Sequence, residues 1–340
     1  MSNPNASPSR LPHPAVAAHR IAVAPMIDWT DRHCRFFHRQ ISRHAHLYTE
    51  MITAPAVIHG PRDRLLAHDA VEHPVALQLG GSDPAQLAQA VRLAAPFGYD
   101  EINLNLGCPS DRVQSGCFGA VLMKDPDLVA RCLEAMIAAS PVEVTAKIRI
   151  GVDDQDPAEV LPTFLSRLRE AGVGRVIIHA RKAWLQGLSP RENREIPPLD
   201  YGLVLAMKRA FSDLHLTLNG GVTSVAQAEA LIGQGMDAVM IGRAAYHEPM
   251  AILGPVDRVF HGASAAREPE AVLEAMRPRI AAHLCAGGRL HQISRHMLGL
   301  FHGRPGARLW RRHLSEQGPQ AGAGLSVLDD ALAQVRRHGS

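Results

Sequence analysis

The chemistry this chain can do is concentrated in a cysteine, a lysine, a histidine and two glycine turns. Cys108 stands in Asn105-Leu106-Gly107-Cys108-Pro109, directly after an apolar, β-leaning run. A free cysteine ionises near pH 8.5, so such a thiol keeps its proton at neutral pH and can donate it without special tuning. A nucleophilic role would need a neighbouring base, and this stretch holds no histidine. Packing as a small apolar residue is the other reading. Lys147 interrupts the apolar run Val144–Ile148, and a lysine buried there must meet an anionic ligand or reach solvent. His179 follows Val176-Ile177-Ile178 and can donate to the same ligand, or sit satisfied in the core. Gln78 ends Val-Ala-Leu-Gln and fits either role. Gly220-Gly221 and Gly242-Arg243 can bring backbone N–H groups close to a phosphate, with the Arg243 guanidinium as a further donor. Otherwise these glycines are turns only. Cys117 is a second candidate thiol with less support, while Cys34, Cys132 and Cys285 are expected to pack on helix faces. His44-Ala45-His46 comes closest to ligand spacing, but no paired cysteine or H-E-x-x-H accompanies it. No metal site is expected, and these histidines are assigned to the surface.

These residues share a position: each follows a short apolar run. Such runs predict strands at Ile21–Ala24, Leu47–Thr49, Val75–Leu79, Glu101–Asn105, Val142–Ile148, Val176–His179, Leu214–Asn219 and Ala238–Ile241. Helical stretches lie between them. Asp83-Pro84, Asp125-Pro126 and Asp156-Pro157 place a capping carboxylate before a proline, and Ser224 with Gln227 makes a capping box. Strands alternating with helices imply parallel βα units, and eight of them fit a (β/α)8 TIM barrel. A doubly wound sheet is the alternative, but no G-x-G-x-x-G follows the first strand. In a barrel the candidates converge on the C-terminal mouth. The stretch Arg181–Asp200 is too long for a tight βα loop and belongs at that mouth. Past Ile241 the spacing becomes helical, at Glu268–Cys285, Ile293–Leu300, Ala307–Leu314 and Leu325–Val335. The expected organisation is a leader over 1–18, a barrel over 19–255 and a small all-helical domain over 256–338.

Composition narrows the function. With 46% hydrophobic and 20% charged residues among 340, the chain is a globular protein. Its apolar runs are too short to span a membrane. The first twenty residues lack an apolar signal core and the five cysteines include no C-x-x-C, so a cytoplasmic protein is expected. The net charge of +3 is small, yet Arg289–Ser315 holds six arginines and no carboxylate. Arg308, Arg311 and Arg312 are spaced to share a helix face, either for tracking phosphates or as a solvated basic surface.

Taken together, Ala24-Pro25-Met26, Asn103-Leu104-Asn105-Leu106-Gly107-Cys108-Pro109-Ser110, Ala146-Lys147-Ile148-Arg149, His179-Ala180-Arg181 and Asn219-Gly220-Gly221 resemble the tRNA-dihydrouridine synthases. The likeness runs from about residue 20 to 315. Arg181–Pro190, Asn193–Leu199 and Gly306–Arg312 are similar to the A-type subfamily. The resemblance implies an FMN-holding barrel and a tRNA-binding helical domain. It implies that NADPH reduces FMN, that hydride reaches uridine C6, and that Cys108 protonates C5. It further implies an FMN shell of Pro25, Met26, Ile27, Gln78, Lys147, His179, Asn219, Gly220, Gly221, Gly242 and Arg243. Asn105, Arg191, Arg194, Arg308 and Arg311 would contact RNA, with D-loop positions 20 and 20a as targets. No interface pattern stands out, and a monomer is expected. A free-pyrimidine flavin dehydrogenase would have no use for the basic tail. An RNA-binding module would bind tRNA without turning it over.

Overall fold

The computed structural model describes residues 19–110 and 118–339. Nine strands form one sheet: β1 Ile21–Val23, β2 Leu47–Tyr48, β3 Ile52–Thr53, β4 Val75–Gly80, β5 Glu101–Leu106, β6 Glu143–Arg149, β7 Arg175–His179, β8 His215–Asn219 and β9 Ala238–Ile241. Every pairing is parallel, in the order β1-β9-β8-β7-β6-β5-β4-β2, with β3 extending the β2 side against β4. A parallel bridge between Ala22 and His46 joins β1 to β2 and completes the ring. The chain therefore forms the (β/α)8 barrel that the alternation predicts, and eight strands fall within one residue of their expected ends. The ninth, β3, was not foreseen: its two residues run straight into the helix Ala54–His59, which Thr53 caps, so no separate apolar run marks them.

Helices pack outside because each βα unit must cross back over the sheet. Their starts follow the capping chemistry in the sequence. Asp83, Asp125, Asp156 and Ser224 each accept a backbone N–H in the first turn of the helices Pro84–Ala94, Pro126–Ala139, Pro157–Glu170 and Val225–Gly233. The main core lies between strands and helices. Inside the ring, Ala22, Ala24, Tyr48, Ala76, Ile177 and Met240 form a separate small cluster. The remaining interior is polar, with Glu101, Asn103, Thr145 and Thr217 fully buried.

After the barrel come the helices Pro269–Cys285, Ala307–Gln317 and Leu325–Gly339. The fully buried Trp310 anchors the second of these. Its indole N–H donates to the Met297 carbonyl at 2.9 Å, and Phe301 meets the ring edge-on. The expected helix Ile293–Leu300 is reduced to His291–Ser294, followed by turns. Gly299 explains the change: a Cβ there would lie 2.2 Å from the His247 carbonyl oxygen, so the chain is drawn against the barrel. Asp31 fastens the two parts. It caps the helix Arg32–Ile41, receives Arg295 at 2.7 Å and lies 3.1 Å from His296.

Two further expectations need correction. His46 is not a surface residue but fully buried, bridged to β1 and 3.2 Å from Glu101. Cys285 does not pack; it is the last residue of the helix Pro269–Cys285 and is exposed, whereas Cys34 and Cys132 are buried. The leader and Cys117 lie outside the described residues.

Candidate active site

The C-terminal ends of the strands surround a cavity of about 530 Å³. Strand register explains the convergence. Asn105 pairs with Lys147 across β5 and β6, Arg149 with His179 across β6 and β7, and His179 with Asn219 across β7 and β8. The cavity wall includes Pro25, Met26 and Ile27 after β1, Gln78, Asn105, Cys108, Lys147, His179, Asn219, Gly220 and Gly221, and Gly242 with Arg243. Arg194 reaches it from the stretch after β7, while Arg191, Arg308 and Arg311 lie on the exposed surface.

Several of these side chains are held by their neighbours. Asn105 Oδ1 accepts the backbone N–H groups of Gly107 and Cys108 at 3.1 and 3.0 Å, which fixes the turn carrying the thiol. Cys108 Sγ lies 3.6 Å from Ser110 Oγ. Asn219 donates to the Met240 carbonyl. Gly220 and Gly221 have φ of +112° and +69°. A Cβ on Gly220 would lie 2.5 Å from the His179 ring, so the backbone and the imidazole can approach only because the side chain is absent.

The electrostatics of the cavity call for an anion. Among the described residues Lys147 has no hydrogen-bond or ion-pair partner, and burial with the nearby Arg149 lowers its ammonium to about 7. Burial, with Arg149 and Lys147, also holds His179 well below the ordinary histidine value, so it is neutral at pH 7 and carries one N–H to donate. Arg243 pairs with Glu195, which is also 3.6 Å from Arg191. An unpaired ammonium, open backbone at two glycine turns and a neutral imidazole form a donor set suited to a flavin ring and its phosphate. FMN therefore fits the residues present. Among the described residues no group of three or more His, Cys, Asp or Glu side chains could hold a metal ion.

Sequence reasoning missed Arg149 and Asn193. Arg149 is buried and donates to three carbonyls: Gly107 beside Cys108, Lys182 and Asn193. Asn193, fully buried, bonds the backbone of Trp184 in both directions and the Leu188 carbonyl, so it organises the interior of the 181–200 stretch. A short amide inside a long, proline-rich loop was the available signal. On the basic surface, Arg295, Arg304 and Arg312 pair with Asp31, with Glu268 and Glu270, and with Glu316, whereas Arg308 and Arg311 have no ion pair among the described residues.

A family model described as dihydrouridine synthase matches residues 22–336. A tRNA-dihydrouridine(20/20a) synthase of Shewanella oneidensis is 54% identical over 316 residues, covering 93% of each chain. Proteins of that same name from Escherichia coli K12 and Vibrio parahaemolyticus are 56% and 54% identical over 318 residues, covering 93% of this chain and 91% and 97% of their own.

Proposed function

The chain belongs to the dihydrouridine synthase family, and from that premise we propose that it reduces uridine to 5,6-dihydrouridine at positions 20 and 20a of the tRNA D-loop. The observation that carries this reading is the polar barrel mouth, where an unpaired Lys147 and the Cys108 turn line one cavity. Bound in this cavity, FMN would supply hydride chemistry towards C6 of the uracil ring, with NADPH as its reductant. The residues of this chain do the rest. Lys147, which lines the cavity, would place its ammonium against the negative charge of the flavin's pyrimidine edge. His179 donates one N–H, and Gly220, Gly221 and Gly242 offer backbone N–H groups to the phosphate. Pro25, Met26, Ile27, Gln78 and Asn219 complete the shell. Arg243, paired with Glu195 at the cavity wall, would be a further donor to the phosphate.

Cys108 gives its proton to C5 as C6 receives hydride, and the thiolate recovers a proton from solvent. Saturating the C5–C6 bond thus consumes one hydride and one proton. Asn105 touches the uracil and Arg194 the RNA entering the cavity. A uridine packed inside folded tRNA must first be extruded, at a cost of a few kcal/mol. Contacts to phosphates from Arg191, Arg308 and Arg311 offset that cost, and the helical region after residue 255 is the platform for them. The tRNA substrate places the reaction in the cytoplasm; among the described residues no helix is long and apolar enough to cross a membrane.

The test is a position-resolved dihydrouridine map of tRNA from cells with and without the gene. Loss confined to positions 20 and 20a is expected. Loss at other positions overturns the A-type assignment but keeps the chemistry. No loss in cells lacking other synthases returns the protein to the free-pyrimidine or RNA-binding readings.

A further inference from the structure

The inward face of β5 carries Glu101, Asn103 and Asn105 in line from the barrel floor to its mouth, because alternate residues of a strand share a face. Their partners make an unbroken hydrogen-bond chain. The hydroxyls of Tyr48 and Thr145 donate to Glu101 Oε1. Asn103 Nδ2 donates to Thr145 Oγ1 at 2.7 Å, Gln78 Nε2 to Asn103 Oδ1 at 2.8 Å, and Asn105 Nδ2 to Gln78 Oε1 at 2.8 Å. Asn105 Oδ1 accepts the N–H groups of Gly107 and Cys108.

The sense of this chain is forced at both ends. A carboxylate can only accept. Burial alone would raise Glu101, but His46, Arg175 and Thr145 outweigh it and hold the group below the ordinary carboxylate value, so it is ionised. Thr145 has one hydroxyl proton, which goes to Glu101, and its oxygen is left to accept from Asn103. The Asn103 and Gln78 amides are then oriented in turn. At the far end, two backbone N–H groups can only donate, and they require the Asn105 oxygen. What remains is one N–H on Asn105 without a partner among the described residues, on a side chain that lines the cavity.

We propose that Glu101 is a positioning residue for uridine reduction: through Thr145, Asn103 and Gln78 it holds the Asn105 amide so that its remaining N–H serves a uracil carbonyl and its oxygen fixes the Cys108 turn. This rests on the function proposed above. A flipped amide would present oxygen to the uracil carbonyl and N–H groups to the N–H groups of the turn.

Thr145→Val keeps the side-chain shape but removes the hydroxyl, while Thr145→Ser keeps it. In FMN-loaded protein acting on a tRNA transcript, Thr145→Val lowers kcat about tenfold with an unchanged KM for tRNA, and Thr145→Ser stays within about twofold of the parent. Adding Glu101→Gln to Thr145→Val causes little further loss, since both cut one chain. Equal kcat for the valine and serine variants, or losses that multiply, overturns the proposal. The orientation is also read without turnover, in isotope-labelled parent protein. A through-hydrogen-bond coupling from Asn105 Nδ2 to the Gln78 carboxamide carbon supports the relay; coupling from Gln78 Nε2 to Asn105 overturns it. A parent that makes no dihydrouridine refutes the proposed function, and the coupling then still judges the relay.

Discussion

Replacing Lys147 with methionine should stabilise the FMN-free protein while weakening its hold on FMN, two effects of opposite sign from one side chain. The ammonium is lowered from 10.5 to about 7, by burial first and then by the charge of Arg149. The unfolded chain keeps this proton until about pH 10.5, whereas the folded protein sheds it near pH 7. Between those values the unfolded state binds more protons, so stability rises with pH. The full cost of the buried charge is present below pH 7. At about 1.4 kcal/mol per pH unit the interval sets a ceiling of about 5 kcal/mol. Relaxation and water entry leave about 2 kcal/mol of it, which for a chain of this size is about 3 °C in Tm. Calorimetry of FMN-stripped protein should show Lys147→Met melting about 3 °C higher near pH 6.5, with the gain shrinking as the pH rises towards 10.5. Fluorescence titration should show its FMN affinity reduced at least tenfold, because a charge-assisted partner is gone. A lower Tm for the FMN-free variant at neutral pH, or a gain indifferent to pH, would refute the reasoning.

Cys108→Ala should lower dihydrouridine formation by about 10²–10⁴-fold while FMN stays bound; near-normal product would remove Cys108 as the acid. Gly220→Ala should lose FMN and melt well below the parent, since its Cβ meets the His179 ring at 2.5 Å. Gly235→Ala is the control: with a φ of +110° but open space around it, it isolates the backbone cost, about 1–2 kcal/mol, and should keep FMN. Arg308→Glu and Arg311→Glu, at exposed positions without ion pairs, should leave Tm unchanged and weaken tRNA binding. Each should lower the log–log salt slope by about one, and an unchanged slope would take that arginine off the phosphate track.

The barrel was legible in the sequence because its strands are short runs rich in apolar residues and its helices start on Asp-Pro or Ser caps, both local signals. Cavity residues were legible because strand ends in a barrel converge, which turns a linear list into a location. What escaped was non-local. Arg149 takes its acceptors from carbonyls at 107, 182 and 193, and carbonyls leave no trace in residue type. His46 looked like a surface histidine, for nothing near it announces Glu101 on another strand. The arginine-rich segment looked uniformly free because the carboxylates that neutralise Arg295 and Arg304 come from residues 31, 268 and 270.

The Arg149 clamp has a consequence for engineering this protein. On the function proposed above, the 181–200 stretch would be the segment to swap between relatives in order to redirect the protein to another uridine. Yet its carbonyls at Lys182 and Asn193 and the Gly107 carbonyl beside Cys108 all accept from a single guanidinium. A graft that alters the path of the chain at either carbonyl would leave that buried cation with unmet donors and shift the thiol's support along with the recognition surface. The 181–200 stretch and the Cys108 turn are therefore tied through one side chain, and a chimera would have to carry residues 107, 149, 182 and 193 across together.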